Sequence, residues 1–166
     1  MKKYGIFYGS ATGTTADVAR RIARQLGVND QDVHDVGITA PEELGKYEIL
    51  ILGSSTHRNG ELENDWYDFA DGAAVLDLSG HKIALFGCGD ARMTNTFCDA
   101  VGILYDRFRG TGATFIGEFP ADCYIFRRSK AADGNKMRGL CLDEVNSPGL
   151  TDARIIEWTG QLKKEA

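Results

Sequence analysis

A cluster of hydroxyl residues lies between the first predicted strand and the first predicted helix. The loop holds Ser10, Thr12, Thr14 and Thr15 together with Gly13. Backbone N–H groups at the start of a helix lack intrahelical partners, and the helix dipole adds positive potential there. Such donors suit a phosphate group, and the simpler alternative is that the hydroxyls only cap the helix. The loop has neither the lysine of a Walker loop nor the G-x-G-x-x-G spacing.

Two further polar loops follow apolar runs that are typical of buried strands. One loop covers residues 54–61, after the run at 47–52, and the other covers residues 87–90, after the run at 82–86. In doubly wound sheets the ligand binds outside the carboxyl ends of the strands, where the strand order reverses. We therefore expect these two loops to converge with the hydroxyl-rich loop at one site.

The elements that must position these loops alternate between strand and helix along the whole chain. Continuous apolar runs predict strands that are buried on both faces, and amphipathic stretches between them predict helices. The predicted buried strands lie at 4–8, 47–52, 82–86 and 113–116. Because parallel strands need crossover connections, this alternation predicts an α/β fold with a parallel sheet and helices on both faces. Gly27 is expected to end the first helix, and Thr151 is expected to be the N-cap of the last one.

The alternating pattern lapses between residues 119 and 139. This stretch is polar, and it is too long for an ordinary connection in a compact domain. We interpret it as an insertion within or just after the last strand of a single domain that covers residues 1–166. It contains five basic residues, namely Arg127, Arg128, Lys130, Lys136 and Arg138.

Composition excludes several classes of partner. The formal charge of −5 and the sequence pI near 5.2 argue against nucleic acid or an anionic membrane as the main partner. The four cysteines, Cys88, Cys98, Cys123 and Cys141, form no C-x-x-C pair and no zinc-ligand spacing. We therefore expect reduced thiols in a cytoplasmic protein without a metal site. No nucleophile motif of the G-x-S-x-G type accompanies the three histidines, so no catalytic residue is predicted.

The spacing Ser10-x-Thr12-Gly13-x-Thr15 after the first strand resembles the FMN phosphate loop of flavodoxins. The resemblance extends through the other two loops to the last helix, and the 119–139 insertion is similar to the extra loop of long-chain flavodoxins. It implies a flavodoxin-like, doubly wound, five-stranded parallel sheet of order 2-1-3-4-5. It also implies a low-potential electron-transfer protein with one non-covalent FMN. Such a protein is expected to be a cytoplasmic monomer that meets its redox partners, a reductase and an electron acceptor, transiently.

The resemblance also implies a role for each loop. The first loop would hold the ribityl phosphate, Thr56 would add a hydroxyl near it, and Asp90 would accept a hydrogen bond from the flavin N3–H. The Asn59-Gly60 pair would allow a peptide to reorient when the flavin is reduced, because both residues tolerate positive φ. The residues expected to contact FMN are Ser10, Ala11, Thr12, Gly13, Thr14, Thr15, Ser55, Thr56, His57, Arg58, Asn59, Gly60, Cys88, Gly89, Asp90, Met93, Thr94 and Phe97.

The chain departs from the flavodoxin pattern at the flavin-stacking positions. His57 stands where the family usually has a tryptophan, and no aromatic residue lies between Asp90 and Thr96, where it usually has a tyrosine. Met93 offers only a polarizable sulfur there. Since an aromatic stack contributes about 0.5–1.5 kcal/mol beyond its buried area, we expect weaker FMN binding than in relatives with two rings. A flavin ring that no aromatic side chain covers would be accessible to a small substrate. This leaves two alternatives, an FMN-dependent oxidoreductase of the quinone or NAD(P)H type and a binding module with little flavin.

Overall fold

The computed structural model describes residues 1–92 and 95–166, with the backbone alone for Cys123. Ten strands and four α-helices are present in the described residues. The strands are β1 Lys2–Gly9, β2 Val33–Asp35, β3 Tyr47–His57, β4 Glu61–Leu62, β5 Lys82–Cys88, β6 Thr114–Ile116, β7 Phe119–Pro120, β8 Ala132–Asp133, β9 Lys136–Met137 and β10 Leu140–Leu142. The helices are α1 Thr14–Leu26, α2 Asp65–Ala73, α3 Asp99–Phe108 and α4 Thr151–Glu165.

The central sheet is parallel and its spatial order is β2-β1-β3-β5, with β6 and β10 sharing the next position. β6 pairs with the start of β5, through Lys82 and Thr114, and β10 pairs with its end, through Cys88 and Leu142. Counting β6 and β10 as one interrupted strand gives the predicted order 2-1-3-4-5. The interruption holds residues 117–139, which fold into a small antiparallel sheet of order β7-β9-β8. The predicted α/β class is thus confirmed.

Two hydrophobic cores lie on the two faces of this sheet. Successive strand residues point to opposite faces, so Phe7 joins one core and Ile6 the other. The first core contains Trp66 of α2 and Leu104 of α3, and the second contains Trp158 of α4 together with side chains of α1. The prediction of helices on both faces is therefore confirmed. Within the described residues, no helix is long and apolar enough to cross a bilayer.

The predicted end of the first helix is confirmed, and the predicted N-cap of the last helix is wrong. Gly27 ends α1 with a φ of 70°, and its N–H reaches the carbonyl of Arg24 at 3.4 Å. Thr151 already has helical dihedrals, φ −64° and ψ −48°, because the short 3₁₀ helix Pro148–Leu150 runs directly into α4. A residue inside the helix cannot fold its side chain back as a cap, and the Thr151 hydroxyl is buried without a hydrogen-bond partner among the described residues.

Candidate functional site

Three loops leave the same edge of the sheet from adjacent strands. Gly9, at the end of β1, pairs with Ser54 of β3, and Ser54 pairs with Gly87 of β5. Because parallel strands carry their carboxyl ends to one edge, the three polar loops predicted from the sequence meet there. We call residues 10–15 the first loop, residues 54–61 the second loop and residues 87–92 the third loop.

The first loop presents the unpaired start of α1. Gly13 occupies the N-cap position with a φ of 91°, in the left-handed region that glycine enters without a steric penalty, and no side chain caps the helix. The N–H of Gly13 donates to Ser10 Oγ at 3.1 Å, which folds the loop across the helix start. The N–H groups of the first helical turn therefore point out of the loop, where the helix dipole favours an anion.

Two buried hydroxyl groups near this edge have no hydrogen-bond partner among the described residues. They belong to Thr15, in the first turn of α1, and to Ser55, at the end of β3. Thr15 is fully buried, and the Cys88 thiol beside it is also buried. A buried hydroxyl without a partner costs roughly 1–3 kcal/mol, so these groups are suited to donate to a bound oxygen ligand. The observed donors fit a phosphate group and include no lysine or arginine of the loop itself.

The second loop contains the turn between β3 and β4. Thr56 pairs with Leu62 and His57 pairs with Glu61 in this antiparallel hairpin, and the Gly60 N–H donates to the His57 carbonyl at 3.0 Å. His57 is half-buried and Arg58 is exposed, with its guanidinium 3.5 Å from the Glu61 carboxylate.

Positive φ occurs at two residues of this turn, Arg58 at 47° and Gly60 at 92°. Asn59, which was expected to share that freedom with Gly60, does not have a positive φ. A left-handed conformation at an arginine is uncommon and strained. If a peptide of this turn reorients, the change that relieves strain is the one that returns Arg58 to a negative φ.

The third loop is held by polar groups of the segment that follows β10. Asp143 accepts hydrogen bonds from the Ala91 N–H at 3.1 Å and from the Asn146 N–H at 2.8 Å. Burial alone would raise the pKa of Asp143, but these hydrogen bonds hold it below the usual value. The Asp90 carboxylate accepts from the Asn146 side-chain amide at 2.6 Å and from the Arg92 N–H at 3.0 Å.

Contacts with the start of α3 hold the second loop in place. Thr56 Oγ1 accepts from the Ala100 N–H at 3.2 Å, so its oxygen contacts the start of α3, and its expected place near the phosphate stays a prediction. A Cβ atom on Gly60 would approach Asp99 Oδ2 to 2.6 Å and Thr96 to 3.0 Å. The absence of a side chain at position 60 therefore lets the turn of the second loop pack against the residues that precede α3.

Two predicted contact residues lie deeper than the loops. Cys88 is 7% exposed, and burial raises the pKa of its thiol to about 12, so it is a neutral packing residue. Phe97 is 1% exposed, and its ring packs against Tyr124 and Phe126, each at a centroid distance of 5.6 Å. The Phe97 ring thus supports the third loop from below instead of offering a face to a ligand, because the insertion covers it.

The remaining predicted residues are placed as follows. Ala11, Thr12 and Thr14 are exposed on the first loop. The Gly89 N–H donates to the Leu142 carbonyl at 2.9 Å, which ties the third loop to β10. Met93 and Thr94 lie outside the described residues. Asn146 and Glu63 were missed, since their sites are created by contacts distant in sequence and no local motif marks them.

The described part of the chain contains no set of side chains that could bind a metal ion. No group of three or more His, Cys, Asp and Glu side chains there is arranged to hold a metal ion. The three cysteines whose side chains are described, Cys88, Cys98 and Cys141, are free and buried. The arrangement is therefore a neutral, hydroxyl-rich anion site beside two loops with strained or tightly held backbone.

Comparison with known proteins gives a consistent result. The family profile described as Flavodoxin matches residues 6–158. The chain is 42% identical to Flavodoxin 1 of Escherichia coli strain K12 over 163 residues, which cover 97% of this chain and 93% of that protein. It is 38% identical to a flavodoxin of Synechococcus elongatus, over 99% of this chain and 98% of that one. The structure of Fusobacterium nucleatum flavodoxin bound to flavin mononucleotide superposes with a TM-score of 0.89 at 31% identity, covering 99% of each chain.

Proposed function

The chain belongs to the flavodoxin family and is a low-potential electron-transfer flavoprotein, and we propose that it holds one non-covalent FMN at the three loops. The observation that carries this assignment is the fully buried Thr15 hydroxyl beside the start of α1, which no side chain caps in the described part of the chain. Among the described residues this hydroxyl has no well-formed hydrogen bond and lies beside only the weakly polar Cys88 thiol. A phosphate in the first loop would satisfy both features with neutral donors. When bound, FMN supplies one-electron redox chemistry, and the protein controls its surroundings.

Each loop has a distinct task in this proposal. The first loop binds the phosphate, and the second and third loops flank the flavin ring. Asp90, which Asn146 and the backbone of Arg92 already orient, presents carboxylate oxygens toward the edge of the ring. The residues of this site are Ser10, Ala11, Thr12, Gly13, Thr14, Thr15, Ser55, Thr56, His57, Arg58, Asn59, Gly60, Cys88, Gly89, Asp90, Met93 and Thr94, with Phe97 as support.

The atypical stacking positions affect affinity rather than the type of chemistry. His57, at the end of β3, stands where relatives place a large ring, and an imidazole covers less of a flavin than an indole does. We expect weaker FMN binding than in relatives with two aromatic rings, with the phosphate contacts supplying a larger share of the affinity. This expectation makes the first loop the decisive part of the site.

Electron transfer requires partners to reach the flavin edge. We propose that redox proteins dock transiently on the exposed parts of the second and third loops and on the adjoining insertion. The insertion reaches the third loop, since Phe126 packs on Phe97 and Ile125 lines a cavity of about 240 Å³ together with Arg92. We further propose that the protein is a cytoplasmic monomer of the long-chain subtype, which the insertion at 117–139 supports.

The proposal is tested by adding FMN and riboflavin separately to the flavin-free protein and following the fluorescence of each. FMN should bind with a 1:1 end point, and riboflavin, which lacks the phosphate, should bind at least about a hundredfold more weakly. Anaerobic reduction of the FMN complex should then proceed in two separate one-electron steps in the visible spectrum. Equal affinities for the two flavins would show that the first loop is not a phosphate site, and failure to bind either would overturn the function.

A further inference from the structure

A buried carboxyl group touches the end of β1, one residue before the first loop. Glu63 connects β4 to α2 and is only 4% exposed. A Cβ atom placed on Gly9 would come within 2.4 Å of Glu63 Oε2, so the carboxyl group touches the last residue of β1. Gly9 precedes Ser10, the first residue of the loop assigned to the phosphate. The sequence gives no local reason to expect a buried acid at this place.

The surroundings of Glu63 disfavour its negative charge. Its carboxyl group forms no ion pair with a Lys, Arg or His side chain among the described residues. The charged groups that act on it are Asp65 from α2 and Asp35 from β2, which repel it, and His57 from β3, which attracts it.

Burial raises the pKa of Glu63, and the hydrogen bond that its Oε2 accepts from the Asp65 N–H at 3.1 Å only partly opposes that effect. The backbone of Glu63 is held by a second hydrogen bond, which the Glu63 N–H donates to Ser54 Oγ at 3.1 Å. The backbone of Glu63 is thus anchored at the end of β3, with its carboxyl group against Gly9.

We propose that Glu63 takes up a proton when the FMN phosphate binds to the first loop, so that FMN affinity falls as the pH rises. This inference rests on the proposed function, because it needs the phosphate beside Ser10. An ionised Glu63 against Gly9 would repel a phosphate dianion, and protonation removes that repulsion. By linkage, a proton on Glu63 and a phosphate in the loop each strengthen the binding of the other.

The test compares FMN dissociation constants of the wild type, Glu63→Gln and Asp68→Asn between about pH 5.5 and about pH 8.5. Glutamine keeps the acceptor for the Asp65 N–H and cannot ionise, and Asp68 is an exposed carboxylate on α2 that serves as the matched control. Glu63→Gln should bind FMN about tenfold more tightly than the wild type at the alkaline end, and the two should converge at the acidic end. Asp68→Asn should follow the wild type throughout. The ionisation of FMN is common to all three proteins and cancels in the ratio.

Two further measurements, riboflavin binding and the number of protons taken up, distinguish an electrostatic effect of Glu63→Gln from a structural one. Without a phosphate, riboflavin should bind the wild type and Glu63→Gln with the same pH dependence. Calorimetry of FMN binding in buffers of different ionisation enthalpy should show proton uptake that is smaller in Glu63→Gln. If that variant does not fold, carbon-13 NMR titration of the wild-type Glu63 carboxyl should give a higher pKa with FMN than without.

The outcomes distinguish the inference from the function on which it rests. Tight FMN binding with identical pH profiles in the wild type and Glu63→Gln would overturn the role of Glu63 and leave the flavoprotein assignment standing. A pH-dependent difference of the same size with riboflavin would also overturn it, since the effect would not involve the phosphate. If none of the proteins binds FMN, the proposed function itself is wrong.

Discussion

Thr15 keeps a hydroxyl group buried at the start of α1 without a hydrogen-bond partner among the described residues. At the scale of this single residue, removing the hydroxyl should therefore change the stability of the flavin-free protein and its affinity for FMN in opposite directions. Thr15→Val keeps the shape of the side chain and removes the orphaned donor, so the free energy of unfolding of the flavin-free protein should stay level or rise by up to about 1 kcal/mol. FMN affinity should fall about tenfold to a hundredfold, because a hydrogen bond to a charged group contributes about 1.5–3 kcal/mol. Urea unfolding and FMN titration measure the two effects.

Thr159→Val is the matched control for that substitution. Thr159 is 2% exposed, but its hydroxyl donates to the Ile155 carbonyl at 2.8 Å within α4. This variant should leave FMN affinity unchanged. Equal FMN affinities in Thr15→Val and Thr159→Val would mean that the Thr15 hydroxyl does not contact the phosphate.

Glu63 gives a second prediction at this scale, for the flavin-free protein. Its pKa is raised in the folded state by burial, so its contribution to stability is complete below the unfolded value of about 4.3 and is lost as the pH rises through the folded value. Glu63→Gln should therefore match the wild type near about pH 4 and exceed it in melting temperature near about pH 8. The gap in melting temperature should widen as the pH rises. A gap that is constant with pH would contradict the buried-charge explanation.

At the scale of elements, the β3–β4 turn depends on a glycine at position 60. Gly60 has a φ of 92°, and a Cβ there would approach Asp99 Oδ2 to 2.6 Å. Gly60→Ala should lower the free energy of unfolding by about 2–4 kcal/mol, from left-handed strain of about 1 kcal/mol and from the collision with the start of α3. It should also weaken FMN binding, since it pushes the second loop away from the start of α3. Urea unfolding of the flavin-free protein and FMN titration test this.

Gly134→Ala isolates the strain from the collision. Gly134 also has a positive φ, 62°, but a Cβ there would meet nothing within 4 Å. This variant should lose only about 1 kcal/mol and keep its FMN affinity. If the two alanine variants lose the same stability, then contact between the second loop and α3 contributes nothing.

The elements also show which parts of the fold a sequence can reveal. β3 and β5 are buried on both faces, so their apolar runs were visible without any tertiary information. The interrupted fifth strand was less visible, because β10 is a short strand that follows 23 residues of insertion at 117–139 and is defined only by pairing with the end of β5. The cap assigned to Thr151 failed for a similar reason, since the preceding 3₁₀ helix decides where α4 begins.

The candidate site divides in the same way. The first loop is a contiguous segment, so the spacing of its hydroxyl residues and glycine was enough to predict an anion site. The second and third loops are held by groups that lie far away in sequence, such as Asn146 on Asp90 and Ala100 on Thr56. Spacing could not predict that the Thr56 oxygen faces α3 or that a buried Glu63 touches Gly9, because both depend on how separate elements pack.

At the scale of the whole molecule, exposed pairs of basic residues lie at both ends of the sheet. Arg127 and Arg128 are exposed on the insertion, next to the third loop at the carboxyl edge. Lys163 and Lys164 are exposed at the opposite edge, where the end of α4 meets β5 through a hydrogen bond from Lys82 Nζ to the Glu165 carbonyl at 2.9 Å. The net charge of −5 therefore hides a local basic surface beside the proposed flavin edge.

The position of Arg127 and Arg128 beside the proposed flavin edge predicts how charged redox reagents react with the reduced protein. Reversing both arginines, as Arg127→Glu with Arg128→Glu, should slow oxidation by an anionic iron hexacyanide about two- to fivefold at low ionic strength and speed oxidation by a cationic cobalt ammine complex. Both effects should vanish at about 1 M salt, where the screening length is about 3 Å. Lys163→Glu with Lys164→Glu changes the net charge equally and should leave both rates nearly unchanged, because those residues lie at the other edge. Stopped-flow absorbance measures the rates, and equal effects of the two pairs would place electron transfer away from the third loop.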